Sequence, residues 1–131
     1  MTISPAKRRA RIWSITLLLL AISLHSAMGQ VARDQEFKTF WPRFKSAVVN
    51  NDKEAVASMT KFPFLYDSEE RTRAGFMKIQ DQLFTRKIRK CFATAKPLKE
   101  RDAYDVFCGG LIFYFGRSEG EYKFLEFGVD D

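Results

Sequence analysis

Three regimes of apolar spacing follow one another along the chain. Residues 12–24 are apolar almost without interruption, with Leu17, Leu18, Leu19 and Leu20 at their centre. From Phe37 the apolar positions take helical spacing. Phe37, Phe40, Trp41, Phe44 and Val48 fall at i, i+3, i+4, i+7 and i+11, one face of a helix. From about Lys87 the period drops to two, the spacing of strands.

The helical segment predicts a first helix with Asp34 as its N-cap. Pro42 predicts a kink, or a regular start only near Trp41, because an interior proline costs about 3 kcal/mol. Asn50-Asn51 ends this helix, and the run Asn51-Asp52-Lys53-Glu54 has the form of a capping box for a short second one, with Val56 and Met59 inward. Residues 62–66 read as an irregular edge strand, since Pro63 cannot donate to a ladder, and residues 67–73 as a charged turn. A third helix is predicted over residues 72–84, burying Phe76, Ile79, Leu83 and Phe84. Beyond it, residues 88–95 read as a strand and residues 96–102 as a connection. Residues 104–115 read as one long strand interrupted by a bulge or bend at Gly109-Gly110, with Phe107, Leu111, Phe113 and Phe115 on one face. A hairpin turn over residues 117–120 leads to a last strand over 122–129, where Leu125 and Phe127 alternate against Lys123. Helices first and an antiparallel meander after them predict the α+β class.

The N-terminal apolar run changes how the chain is divided. Lys7, Arg8, Arg9 and Arg11 precede it, no acidic residue occurs before Asp34, and Ala27-Met28-Gly29 lies just ahead of Gln30. Basic start, short apolar run and small-x-small site form the pattern of a secretory signal peptide. The run is shorter than the ~18–20 residues that span a bilayer. The expectation is a leader over residues 1–29, a single domain over residues 30–131, and export to a bacterial periplasm or the cell exterior, with no membrane span after cleavage. The alternative is a leader retained as an anchor.

That division reinterprets the charge. The chain carries net +6, but four of its 22 basic residues lie in the leader, leaving 18 against 16 acidic. The basic balance therefore gives no case for nucleic-acid binding. The only histidine, His25, also falls in the leader. The remaining domain is excluded from Ser-His-Asp and Cys-His catalysis, and from His-ligated zinc. Ser46, Ser58, Ser68 and Ser118 have no G-x-S-x-G setting. Cys91 and Cys108 are the two cysteines, and an even pair in an oxidising compartment reads as a disulfide. No metal or cofactor motif is present in the sequence.

All 13 phenylalanines lie beyond the leader, which predicts a ring-built core. The segments Phe40-Trp41…Phe44-Lys45-x-Ala47-Val48, Asp52-Lys53-x-x-Val56 and Phe62-Pro63-Phe64, with the C-terminal Phe113-Tyr114-Phe115…Gly120-x-Tyr122-Lys123-Phe124, resemble small exported bacterial proteins of NTF2-like (cystatin-like) type. The resemblance implies a cone-shaped sheet curled round helices, often with a pocket at its open end. It supplies no catalytic set. Members of that group commonly pair through the sheet, which adds a homodimer to the expectations.

Four candidate sites follow. Phe40, Trp41, Phe44, Phe107, Phe113 and Phe115 are the rings expected to line a pocket for an apolar ligand. Asp105 and Glu126 are the carboxylates that a pocket enzyme of isomerase or hydratase type would use as general base, against the reading that both face outward. Arg86, Lys87, Arg89 and Lys90, with Arg71, Arg73 and Lys78 nearby in sequence, form a basic cluster for an anionic partner, against the reading of a solvated surface. Asp130-Asp131 reads as a frayed, solvated end, against a weak calcium site. The leading expectation is a binding or interaction domain that takes an apolar ligand or docks a protein partner. A filled core with an exposed apolar patch would favour the latter.

Overall fold

The computed structural model describes the backbone of residues 5–131 and the side chains of residues 27–131. The side chains of the expected leader up to Ser26 therefore lie outside the described residues. The chain divides into two units, Met1–Phe37 and Lys38–Asp131. The first described element is helix α1 (Pro5–Val49). Among the described residues no helix is long and apolar enough to cross a membrane.

Asp34 lies inside α1 and is not its cap, and Pro42 is accommodated within the helix. Phe37, Phe40, Phe44 and Val48 are buried and Trp41 half-buried, as their spacing predicts. Helix α1 ends at Asn50-Asn51, where Asn51 takes φ +54, a left-handed value that asparagine tolerates. The cap of α2 (Lys53–Ser58) is Asp52, whose carboxylate accepts from the Ala55 amide at 3.2 Å. The reciprocal box is not formed: with Asp52 as cap its third helical position is Ala55, which has no polar side chain to reach back, and Glu54, one place earlier, pairs with Arg73 at 2.7 Å.

Residues 62–73 are more regular than the sequence suggests. After a cis Phe62–Pro63 peptide, β1 (Phe64–Tyr66) pairs with β2 (Glu69–Arg71) as a small antiparallel hairpin. Its turn residues Asp67 and Ser68 take φ +53 and +60, the twist a two-residue hairpin loop requires. Helix α3 (Arg73–Leu83) then starts from Thr72, whose hydroxyl accepts from the Gly75 amide, and buries Phe76, Ile79 and Leu83. Gln80 of α3 donates to the Lys53 carbonyl at 2.8 Å, and Lys53 meets Asp81, so α2 and α3 are tied side by side.

The expected strand over residues 88–95 is instead a helix, α4 (Arg86–Phe92). Thr85 caps it, and Ile88 and Phe92, four apart, are its buried face. Residues 98–100, expected in a connection, form a short edge strand, β3 (Leu98–Glu100). The expected long strand is two: β4 (Ala103–Cys108) and β5 (Leu111–Ser118). Gly109 and Gly110, at φ +62 and +79, make the hairpin turn between them. The final strand is β6 (Glu121–Val129). The four-stranded sheet has the order β3-β4-β5-β6, all antiparallel.

Inward pairs in this sheet are Tyr104 opposite Phe115, Val106 opposite Phe113, and Phe113 opposite Phe127. A bulge in β6 leaves Leu125 without a partner, since Phe115 pairs with Phe124 and Tyr114 with Glu126. The extra residue lets Phe124 and Phe127 both face the core, and sends Leu125 to the other side. Phe44 is at the centre, fully buried, with ring centroids 5.0 Å from Phe115, 5.7 Å from Phe124 and 6.3 Å from both Phe84 and Phe92. Phe64 joins the small hairpin to this core through Phe76 at 4.9 Å and Phe124 at 5.1 Å. The molecule is α+β, with helices packed on one face of the antiparallel sheet.

Candidate functional site

The rings expected to line a pocket pack on one another. Phe40 contacts Phe44 and Phe115, Trp41 contacts Phe92 and Phe115, and Phe113 contacts Phe84, Phe92 and Phe124. Phe44, Phe113 and Phe115 have no exposed surface. Phe107 is the exception. The Gly109-Gly110 turn reverses the chain, so Phe107 pairs with Ile112 on the face away from the core and is 43% exposed. Reading β4 and β5 as one strand put Phe107 in phase with Phe113. As two strands, they present Val106 opposite Phe113.

The outer face of the sheet is continuous across four strands. One row runs Leu98, Asp105, Tyr114, Glu126, and the next runs Phe107, Ile112, Gly128. Leu98 is 56% exposed, and Ile112, Tyr114 and Leu125 are half-buried. Two glycines shape this face. The Tyr114 ring lies over Gly128, its Cε2 3.3 Å from where a β-carbon would stand. Leu125 covers Gly116, with Cδ1 2.8 Å from such a position. Both large side chains thus lie flat along the sheet.

Both candidate carboxylates are on this outer face, as neighbours of Tyr114 on its two sides. Burial pushes the Asp105 carboxyl above its usual range, and the charge of Glu100 adds to the shift. Glu126 is exposed. With Asp105 half-buried and Glu126 exposed, both carboxylates remain open to water, whereas a general base of this kind needs a water-excluded setting.

Three of the four cluster cations, Arg86, Arg89 and Lys90, come together around a cleft of about 350 Å³ with Val49 and Ala93. Lys87 is not part of its lining. Arg71 and Arg73 belong elsewhere, paired with Glu69 and Glu54. Cys91 and Cys108 form a disulfide that joins α4 to the end of β4. Comparison of the chain with protein-family models, with curated proteins and with solved structures gives no match.

Proposed function

We propose that this is an exported interaction domain that docks a basic, partly apolar polypeptide segment on the outer face of its four-stranded sheet. The carrying observation is the composition of that face. Leu98, Phe107, Ile112, Tyr114 and Leu125 supply apolar surface, and Glu100, Asp105 and Glu126 supply charge of one sign. Lys123, on the same face, is engaged by Glu121 and by the Ser58 carbonyl. Contiguous exposed apolar surface rimmed by charge is the mark of a binding surface. The shared negative sign selects the partner. A second copy would bring carboxylate against carboxylate, which costs stability, whereas lysines and arginines flanking apolar residues complement it.

Export is supported by the leader pattern and by the disulfide, which persists in oxidising compartments. The aromatic core, closed on itself, makes a protein partner the better-supported occupant than a small apolar ligand.

The test is NMR titration of the full chain, expressed with its own leader and purified, against a short peptide of alternating leucine and lysine. Amide shifts should concentrate on residues 98–107 and 112–128. Binding should weaken with salt, and roughly tenfold in Asp105→Asn/Glu126→Gln. A glutamate-for-lysine peptide should not bind. Failure of the lysine peptide to bind, or a sedimentation profile showing a stable dimer whose formation Phe107→Ser abolishes, would overturn the reading.

A further inference from the structure

The cleft beside α4 is a second candidate surface, independent of the sheet-face reading. Four cations occupy five consecutive positions, 86–90, of a seven-residue helix. Elsewhere in the domain Lys53, Arg71, Arg73 and Lys123 each meet a carboxylate. Among the described residues no carboxylate pairs with Arg86, Lys87 or Lys90. Arg89 and Lys90 stand in the last turn of α4, where the helix dipole favours cations, but Arg86 and Lys87 stand in the first turn, where it disfavours them.

The platform beneath these charges is rigid. Phe92 is fully buried among Trp41, Phe44, Phe84 and Phe113. Ile88 presses on the Gly109 turn, and Cys91 is bonded to Cys108. Arg89 is half-buried and donates from Nη1 to the Phe84 carbonyl at 2.8 Å, which holds its guanidinium in place and leaves its other N–H groups to donate outward. A guanidinium already held, as that of Arg89 is, loses little freedom when it binds. Two guanidinium groups and one ammonium supply the positive charge and the N–H donors that phosphate oxygens accept, and Val49 and Ala93 supply apolar surface beside them.

We infer that this cleft binds a phosphate group carried on a small apolar or neutral stem, with Arg86, Arg89 and Lys90 as its ligands. The phosphate source is either a free phosphorylated molecule or a phospholipid headgroup. The probes are glycerol phosphate, followed by amide shifts, and phosphatidylcholine vesicles with or without phosphatidylglycerol, followed by co-sedimentation. Glycerol phosphate should shift amides at Val49 and along α4. Its affinity should fall about tenfold in Arg86→Gln/Lys90→Gln, which leaves the Arg89–Phe84 bond intact, and less than about twofold in Lys87→Gln. Denaturation midpoints of both variants near that of the parent protein would show that folding is preserved. Vesicle retention that needs phosphatidylglycerol and is competed by glycerol phosphate would assign the headgroup. Binding of glycerol phosphate without vesicle retention would assign the free molecule. No shift with glycerol phosphate, or equal weakening by Lys87→Gln, would overturn the site.

Discussion

The Cδ1 atom of Ile88 lies 2.6 Å from the place a β-carbon would take on Gly109. The turn joining β4 to β5 is therefore seated against α4, beside the Cys91–Cys108 bridge that links the same two elements. Gly109→Ala meets two obstacles, a left-handed φ of +62 and the Ile88 contact. It should cost about 2–4 kcal/mol. Gly110→Ala has a similar φ but open space, and should cost only about 1–2 kcal/mol. Urea midpoints of both, with Ile88→Val added to each, separate the terms. Removing Cδ1 should recover part of the Gly109→Ala loss and none of the Gly110→Ala loss. Equal behaviour of the two glycines would show that the α4 contact does not matter.

The disulfide closes a sequence separation of 17 residues. In the chain-entropy model a loop of that size contributes about 3 kcal/mol, through the unfolded state. The double variant Cys91→Ser/Cys108→Ser should lose about 2–4 kcal/mol, with no free thiol left to confuse the result. An unchanged urea midpoint would show that α4 is held by Ile88 and Phe92 alone.

How far the sequence could be read depends on which signal governs each segment. Helix α3 is legible almost to the residue, because Phe76, Ile79 and Leu83 hold helical spacing. Helix α4 is not. With Ile88, Cys91 and Phe92 as its only apolar residues, seven positions fit either period, and Thr85 as cap is visible only once the helix is granted. The Gly109-Gly110 pair reads as an interruption of one strand, because apolar residues continue on both sides. Whether two glycines bend a strand or reverse it is decided by pairing across the turn, which is not local information. That ambiguity put Phe107 in the core. The basic cluster was visible as a charge run, but which of its members share a cleft depends on their side of α4 and on Val49, 37 residues before Arg86.

Phe44 and Phe107, grouped together by sequence, should now separate sharply. Phe44 is fully buried among five rings, and Phe44→Ala should cost about 3–5 kcal/mol. Phe107 lies on the outer sheet face, and Phe107→Ala should change stability by less than about 1 kcal/mol while weakening the lysine–leucine peptide. Urea denaturation gives the first comparison and peptide titration the second. A large stability loss in Phe107→Ala would mean that the outer face is covered by something intrinsic to the chain.

Asp105 gives the pH dependence a definite sign. Its carboxyl is raised above the usual aspartate value of 3.8, first by burial and second by Glu100. The folded state therefore holds this proton more tightly than the unfolded chain, so ionisation of Asp105 opposes folding. The opposition is absent at pH below 3.8, grows as pH rises through the raised folded value, and is constant above it. Asp105→Asn should therefore stabilise the domain at neutral pH and give no such gain in acid. Glu100→Gln should move the Asp105 midpoint down without restoring it fully, because burial is the larger cause. A basic segment docked on the same face should lower the midpoint as well, since a nearby cation favours the carboxylate. NMR titration of the Asp105 carboxyl, in the free protein and with the lysine–leucine peptide, checks each step. An Asp105 midpoint that the bound peptide leaves in place would separate the peptide's site from the acidic row of the sheet.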